Sequence, residues 1–276
     1  MENVHNQADN IMNYTGALFS PIDVRDYKLA SITNESEMPK TFELKMPKVK
    51  NQKSVNSCVA HSIATTIEYF NSIQSNSDEK MSTNYIYGNR TDMNYDGMGM
   101  YTRRAVANTC KYGDVIESDF PGNTEIPNVI NEFEDNKYHL YDKGTPYRFS
   151  SYYSVKTKNE IKTALMKNGP VIFAMPWYDD IRVKNGIINT SQKGDAGGHC
   201  MVIYGWNQDG WLIQNSWGTM WGNKGKAVLP YDVKISEAYG IVDNIINNVE
   251  VIKPYNSKFG KIIAKILNWI LNLFRK

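Results

Sequence analysis

The hydrophobic period of this chain changes near residue 170, and that change restricts the fold more than any other feature. Before it, apolar residues recur every three to four positions. Val59, Ile63, Ile67 and Phe70 line one side of residues 58–73, the spacing of an amphipathic helix. The polar pair Asn56-Ser57 just ahead suits a helix N-terminus. A second helix is predicted over 103–111, halted by Tyr112-Gly113, and a third over 158–167, halted by Asn168-Gly169-Pro170. Beyond that point, residues 171–174, 199–204, 211–214 and 226–229 are short apolar runs set between Gly, Asn and Asp turns. They read as antiparallel strands. Helices first and strands afterwards predict an α+β chain of two lobes with a cleft between them.

Composition excludes several alternatives. With 276 residues, 41% hydrophobic and 22% charged, the chain is long enough for one large domain or two lobes, and is not disordered, collagen-like or disulfide-knotted. No run of about 18 uncharged apolar residues is present to cross a bilayer. Residues 1–10 are polar and lack a secretory signal pattern. Three cysteines, Cys58, Cys110 and Cys200, cannot build a disulfide framework and leave at least one free thiol. The expectation is a protein made in a reducing compartment, cytoplasmic or released without a signal peptide. Residues 253–276 carry six cations and no acid, so the net +2 of the chain leaves −4 on residues 1–252. The main body therefore has no charge pattern for nucleic acid.

Three segments carry chemistry. The first runs from Gln52 through Ser57-Cys58-Val59 to Ser62, the second from Gly197-Gly198-His199-Cys200 to Trp206, and the third is Asn215-Ser216-Trp217-Gly218 with Trp221-Gly222 and Gly225 behind it. A cysteine at the first turn of a helix has its thiolate favoured by unpaired backbone N–H groups and the positive end of the dipole. A histidine on a later strand can take the thiol proton, and an asparagine oxygen can hold the other ring N–H. A glutamine six residues before the cysteine can aim its amide at the carbonyl oxygen under attack. With the backbone N–H of the cysteine it would form an oxyanion hole.

At these residues the chain resembles a papain-like cysteine peptidase. Gln52 lies six before Cys58, and Asn215 lies sixteen after His199, as in the family. Asn215-Ser216-Trp217-Gly218 reproduces the family's Asn-Ser-Trp-Gly, Val49-Lys50-Asn51-Gln52 resembles its run ahead of the nucleophile, and Gly169-Pro170-Val171 its strand entry. The resemblance covers roughly residues 37–250. It implies a two-lobed fold, a helical lobe carrying Cys58 and an antiparallel β-barrel-like lobe carrying His199 and Asn215. It also implies Cys58, His199, Asn215 and Gln52 as catalytic residues. Gly99 would pair with substrate backbone, Gly198 would lie beside it, and Trp217 would shield the His199–Asn215 hydrogen bond.

The chain departs from the family where Cys-Gly-Ser-Cys-Trp becomes Val55-Asn56-Ser57-Cys58-Val59. The loss of the first cysteine fits a reducing origin. Asn56 replaces a glycine, and its side chain could narrow the cleft. His61 stands where the family has an aromatic and reads as packing. Cys200, next to His199, points to the other face of its strand and packs there, and Cys110 is structural. These cysteines and histidines lack metal-ligand spacing, so neither a metal nor another cofactor is expected.

In the tail, Phe259, Ile262, Ile263, Ile266, Leu267, Ile270, Leu271 and Phe274 recur at helical spacing opposite Lys258, Lys261, Lys265 and Arg275. A helix over 258–276 would be about 28 Å long, but Lys265 interrupts its apolar stretch. An anionic membrane surface, contacted peripherally, or a partner protein is the expected contact. The organisation is an N-terminal extension (1–36), a peptidase domain (37–252) and a basic amphipathic tail (253–276). The function expected is hydrolysis of peptide or protein substrates through a thioester. The alternatives are a papain-fold binding protein without turnover, and a membrane-active protein whose tail is the effector.

Overall fold

The computed structural model describes residues 15–21, 23, 38–90, 98–122, 126–189 and 192–243. The tail expectation, including the amphipathic helix over 258–276, falls outside these residues. In chain order the elements are β1 (Ala17–Leu18), β2 (Phe42–Glu43), α1 (Cys58–Gln74), α2 (Thr83–Gly88), β3 (Met100–Tyr101), α3 (Thr102–Tyr112), α4 (Ile126–Gly144), β4 (Ser151–Ser154), α5 (Lys158–Lys167) and β5 (Val171–Tyr178). There follow β6 (Val183–Lys184), β7 (Ile187–Ile188), β8 (Ala196–Trp206), β9 (Gly210–Gln214), β10 (Lys226–Pro230) and β11 (Glu237–Val242).

The three predicted helices form, and the two for which a stop was predicted end there. α3 ends at Gly113, whose φ of 73° lies in the left-handed region that a side chain would strain. α5 opens on a capping box. Thr157 Oγ1 accepts from Glu160 N at 3.2 Å, and Glu160 Oε2 accepts from Thr157 N at 2.9 Å. α1 is buried on every side from Cys58 to Phe70, as a helix through the middle of a core must be. Its polar residues find partners inside. Thr66 Oγ1 donates to Ser62 O at 2.9 Å, and Glu68 takes both Lys50 Nζ at 2.6 Å and Met81 N at 2.8 Å.

The sheet runs in the order β4-β11-β5-β8-β9-β10-β7-β6, with β2 on the side of β8. Its pairs are antiparallel except β10 with β7. The barrel-like lobe expected from the sequence is therefore corrected to an open sheet. Its path ends in β4 and β6, strands of only four and two residues, and these do not pair with each other. β5 and β8 form the longest ladder, from Val171 opposite Ile203 to Tyr178 opposite Ala196, and Met175 faces His199 within it. α1 packs against β8. The helix that begins with Cys58 and the strand that carries His199 are thus pressed together by the core itself.

Candidate active site

Two loops and two elements build the site. Val202 of β8 pairs with Gln214 of β9, so Asn215, the residue after β9, falls beside the part of β8 that holds His199. The result is a hydrogen bond of 2.8 Å between His199 Nε2 and Asn215 Oδ1. An amide oxygen only accepts, so Nε2 carries the proton and, in the neutral ring, Nδ1 keeps its lone pair. Nδ1 is buried and has no hydrogen-bond partner. Trp217 stacks on the imidazole at 4.4 Å between centroids, and Trp177 meets it edge-on at 5.3 Å. Both indoles are buried, so the ring is clamped in an apolar slot that excludes water from its bond to Asn215.

Gln52 is tied to the same turn. Its backbone N–H donates to Ser216 O at 2.8 Å, and Gly218 N donates to Lys50 O at 3.0 Å. Ser216 Oγ donates to Gln52 Oε1 at 2.5 Å, and Gln52 Nε2 donates one proton to Val55 O at 2.8 Å. This fixes the amide group beside the 55–58 turn, with a second proton on the same nitrogen. Cys58 is the first residue of α1 and fully buried. Backbone amides of Cys200, Val59 and Cys58 itself lie near enough to its sulfur to favour the thiolate. The sulfur therefore sits against β8 one residue from His199. Gln52, His199 and Asn215 are thus joined through the 215–216 turn, and Cys58 opens the helix packed against the strand of His199, with no hydrogen bond between its sulfur and Nδ1.

Both titratable groups are neutral in this arrangement. Burial pushes the Cys58 thiol up to about 11, against the opposing pull of those amides. Burial likewise lowers His199 to about 4, only partly offset by Asn215. Part of that burial comes from a cover that the sequence did not reveal. Residues 15–21 of the extension lie in the cleft. Gly16 N donates to Gly198 O at 2.9 Å, and Met100 N donates to Gly16 O at 2.8 Å, so one residue ties the two walls together. β1 then pairs in parallel with β3, Ala17 opposite Met100 and Leu18 opposite Tyr101. Farther along, Ser20 N donates to Glu237 Oε2 at 3.2 Å and Arg103 N to Ser20 Oγ at 3.1 Å.

The three residues expected to face substrate are therefore occupied or packed. A Cβ on Gly99 would strike Gly16 O, one on Gly198 would strike Ala17 O, and Trp217 covers His199. Asn56, which the sequence suggested could narrow the cleft, donates its side-chain amide to Thr15 O. The signal missed was the apolar triplet Ala17-Leu18-Phe19 inside an otherwise polar extension. His61 packs as expected. It is buried, with Nδ1 donating to Ser57 O at 2.9 Å. Cys200 is buried, Cys110 is half-buried, and all three cysteines are free thiols. A groove of about 1070 Å³ lies behind the Gln52 loop, lined in part by Lys50, Gln52, His61 and Glu68. Cys58 and His199 do not line it, which fits a catalytic cleft already filled.

Residues 37–247 match the family model described as papain family cysteine protease. A cysteine protease of Blomia tropicalis is 26% identical over 227 residues, covering 76% of this chain and 66% of that protein. Cathepsin B-like cysteine proteinase 3 of Caenorhabditis elegans is 29% identical over 204 residues, 64% of this chain and 55% of the relative. The chain thus spans between about half and two thirds of the length of these two relatives. Among solved structures, xylellain, a cysteine protease from Xylella fastidiosa, superposes with a TM-score of 0.70 at 21% identity, covering 83% of this chain and 96% of that one. Procathepsin B S9 from Trypanosoma congolense gives 0.63 at 17% identity, covering 83% and 86%. These likenesses carry the same two-lobed α+β fold. With the family model matched over well more than half of its length, the chain belongs to the papain family of cysteine proteases.

Proposed function

We propose that the chain is a thiol endopeptidase acting on peptide or protein substrates. The observation that carries this reading is the 2.8 Å bond from His199 Nε2 to Asn215 Oδ1, which leaves Nδ1 as the one basic ring nitrogen beside the strand that holds the Cys58 sulfur. Nδ1 takes the thiol proton, and the sulfur attacks the substrate carbonyl carbon. The oxygen, now negative, is held by the Cys58 backbone N–H and Gln52 Nε2. His199 returns its proton to the departing amine as the C–N bond breaks, leaving a thioester on Cys58. Water activated by the same imidazole then hydrolyses the thioester and restores the thiol. Asn215 keeps the ring in the tautomer that this sequence of transfers needs.

The test is intact mass after prolonged exposure to an epoxide inhibitor of papain-like enzymes. One adduct on the wild type, absent from Cys58→Ser and at least tenfold slower in His199→Ala, is the expected result. An adduct that forms as fast in His199→Ala, or that persists in Cys58→Ser, would overturn the assignment.

The reading extends to the tail. Residues 258–276 place eight apolar residues opposite four cations, a pattern that supports peripheral attachment to an anionic membrane surface. Co-sedimentation with anionic but not zwitterionic vesicles, reversed by salt, is the expected outcome. No sedimentation with either vesicle would leave a partner protein as the tail's contact.

A further inference from the structure

We propose that His61 is a positioning residue of the oxyanion hole, acting through the peptide unit that joins Ser57 to Cys58. This rests on the reading of the Cys58 N–H and Gln52 Nε2 as the two donors of that hole, and adds what holds them in place.

The carbonyl of Ser57 and the N–H of Cys58 belong to one planar peptide unit, so whatever fixes the oxygen aims the hydrogen. Two groups of His61 hold that oxygen, the backbone N–H at 3.0 Å and ring Nδ1 at 2.9 Å. The first bond comes with any residue in a helix; the second needs a side chain that donates. Ser57 is the N-cap of α1 but makes no side-chain cap bond, and its Oγ lies 3.2 Å from His61 Nδ1 instead. The same frame reaches the other donor. Ser57 N donates to Val55 O at 2.8 Å, and Gln52 Nε2 gives one proton to that oxygen, also at 2.8 Å. Both donors of the hole therefore hang on residues 55–58, with His61 as their anchor on α1. No covalent tie does this, because Val55 stands where the family has a cysteine and the three cysteines of the chain are free.

Packing does not account for a histidine here. The family places an aromatic at this position, and a phenyl ring fills similar space with no polar atom to bury. Burial lowers His61 to about 4, only partly offset by its bond to Ser57, so the ring is neutral at pH 7. A carbonyl only accepts, so Nδ1 carries the single ring proton. The bond it makes also polarises the peptide and strengthens the Cys58 N–H as a donor. His61 thus acts on the hole by direction and by polarity.

Two substitutions in the full chain separate positioning from packing. His61→Phe keeps a buried ring and removes the donor. His61→Asn gives up the ring but carries an amide nitrogen on Cγ, as Nδ1 is. Hydrolysis of a fluorogenic peptide passes through an oxyanion, whereas alkylation of Cys58 by iodoacetamide does not. In His61→Phe kcat should fall about tenfold, part of the roughly 10²–10³ that follows outright loss of an oxyanion donor. KM and the alkylation rate should stay within about twofold of wild type. His61→Asn should recover most of the loss in kcat. Unchanged kcat in His61→Phe, or a slower His61→Asn than His61→Phe, would reduce His61 to packing. Equal losses in hydrolysis and alkylation would place its effect on the sulfur and not on the hole. Nitrogen NMR of the histidine-labelled chain gives a readout without turnover, and a neutral His61 ring protonated at Nε2 would overturn the proposal. Those three results leave the peptidase reading standing. A wild type with no hydrolysis that Cys58→Ser abolishes would overturn that reading and the role of His61 with it.

Discussion

In the proposed reaction Asn215 acts only through His199, and the consequence of removing it follows from one hydrogen bond. In Asn215→Ala the Nε2–H of His199 would lose its acceptor inside a slot walled by Trp217 and Trp177. A buried donor left unpaired costs about 1–3 kcal/mol. The ring would escape this by turning or by moving its proton to Nδ1, the nitrogen that must stay basic. Hydrolysis of a fluorogenic peptide should therefore lose about ten- to a hundredfold in kcat with KM little changed. A loss confined to KM would mean that Asn215 serves substrate binding and not the ring. The residue types proposed as catalytic were legible in the sequence because the chemistry calls for them at fixed spacing. Asn56 was legible only as a departure from the family. Its partner, Thr15, lies 41 positions away, and no local pattern couples them.

Elements were legible in proportion to how strictly their apolar residues kept a period. α5 matches its predicted bounds, α1 runs one residue longer at its C-terminal end, and α3 one residue longer at each end. α4 was missed, although it is the longest helix described. Its sequence Asn-Glu-Phe-Glu-Asp-Asn-Lys-Tyr is mostly polar, and among its described side chains only Val129, Phe133 and Leu140 are deeply buried. What makes it a helix is tertiary. Phe133 meets Tyr85 at 5.6 Å, Tyr141 at 5.9 Å and Phe120 at 6.4 Å, all edge-to-face or close to it. A Cβ on Gly88 would fall 2.8 Å from that of Phe133, so α2 and α4 touch where no larger residue fits. Phe133→Ala should cost about 3–5 kcal/mol, read as a lowered urea midpoint at unchanged slope. A cost under 1 kcal/mol would mean that α4 is not held by this cluster. β4 and β11 escaped prediction for a related reason, since both gain their place by pairing with distant strands and not by alternation of their own.

On the scale of the whole molecule, closure of the cleft sets the charge state of the nucleophile, and this can be read from pH alone. With the cover in place, burial holds the Cys58 thiol at about 11 and His199 at about 4. Between those values the pair is S–H and neutral imidazole. Only the thiolate reacts with a small neutral electrophile such as iodoacetamide. For the closed chain, the alkylation rate of Cys58 should thus be low near neutrality and rise about tenfold for each pH unit until it levels near 11. A Cβ on Gly16 would strike the backbone carbonyl of Asn56, so Gly16→Val lifts the cover, and the water that enters weakens the dominant cause of both shifts. The thiol then falls and the imidazole rises toward its ordinary value, so that an ion pair becomes the stable form over part of the neutral range. The profile of the opened chain should level off at least two pH units lower than that of the wild type. Neither other thiol blurs the readout. Burial pushes Cys110 up to about 12 and Cys200 well above the ordinary thiol range, and peptide mapping separates the three sites. Rates measured from pH 5 to 10 decide the matter. A wild-type profile already flat from pH 6 would show a thiolate beneath the cover. Closure would then act by keeping reagents out and not by keeping the sulfur protonated.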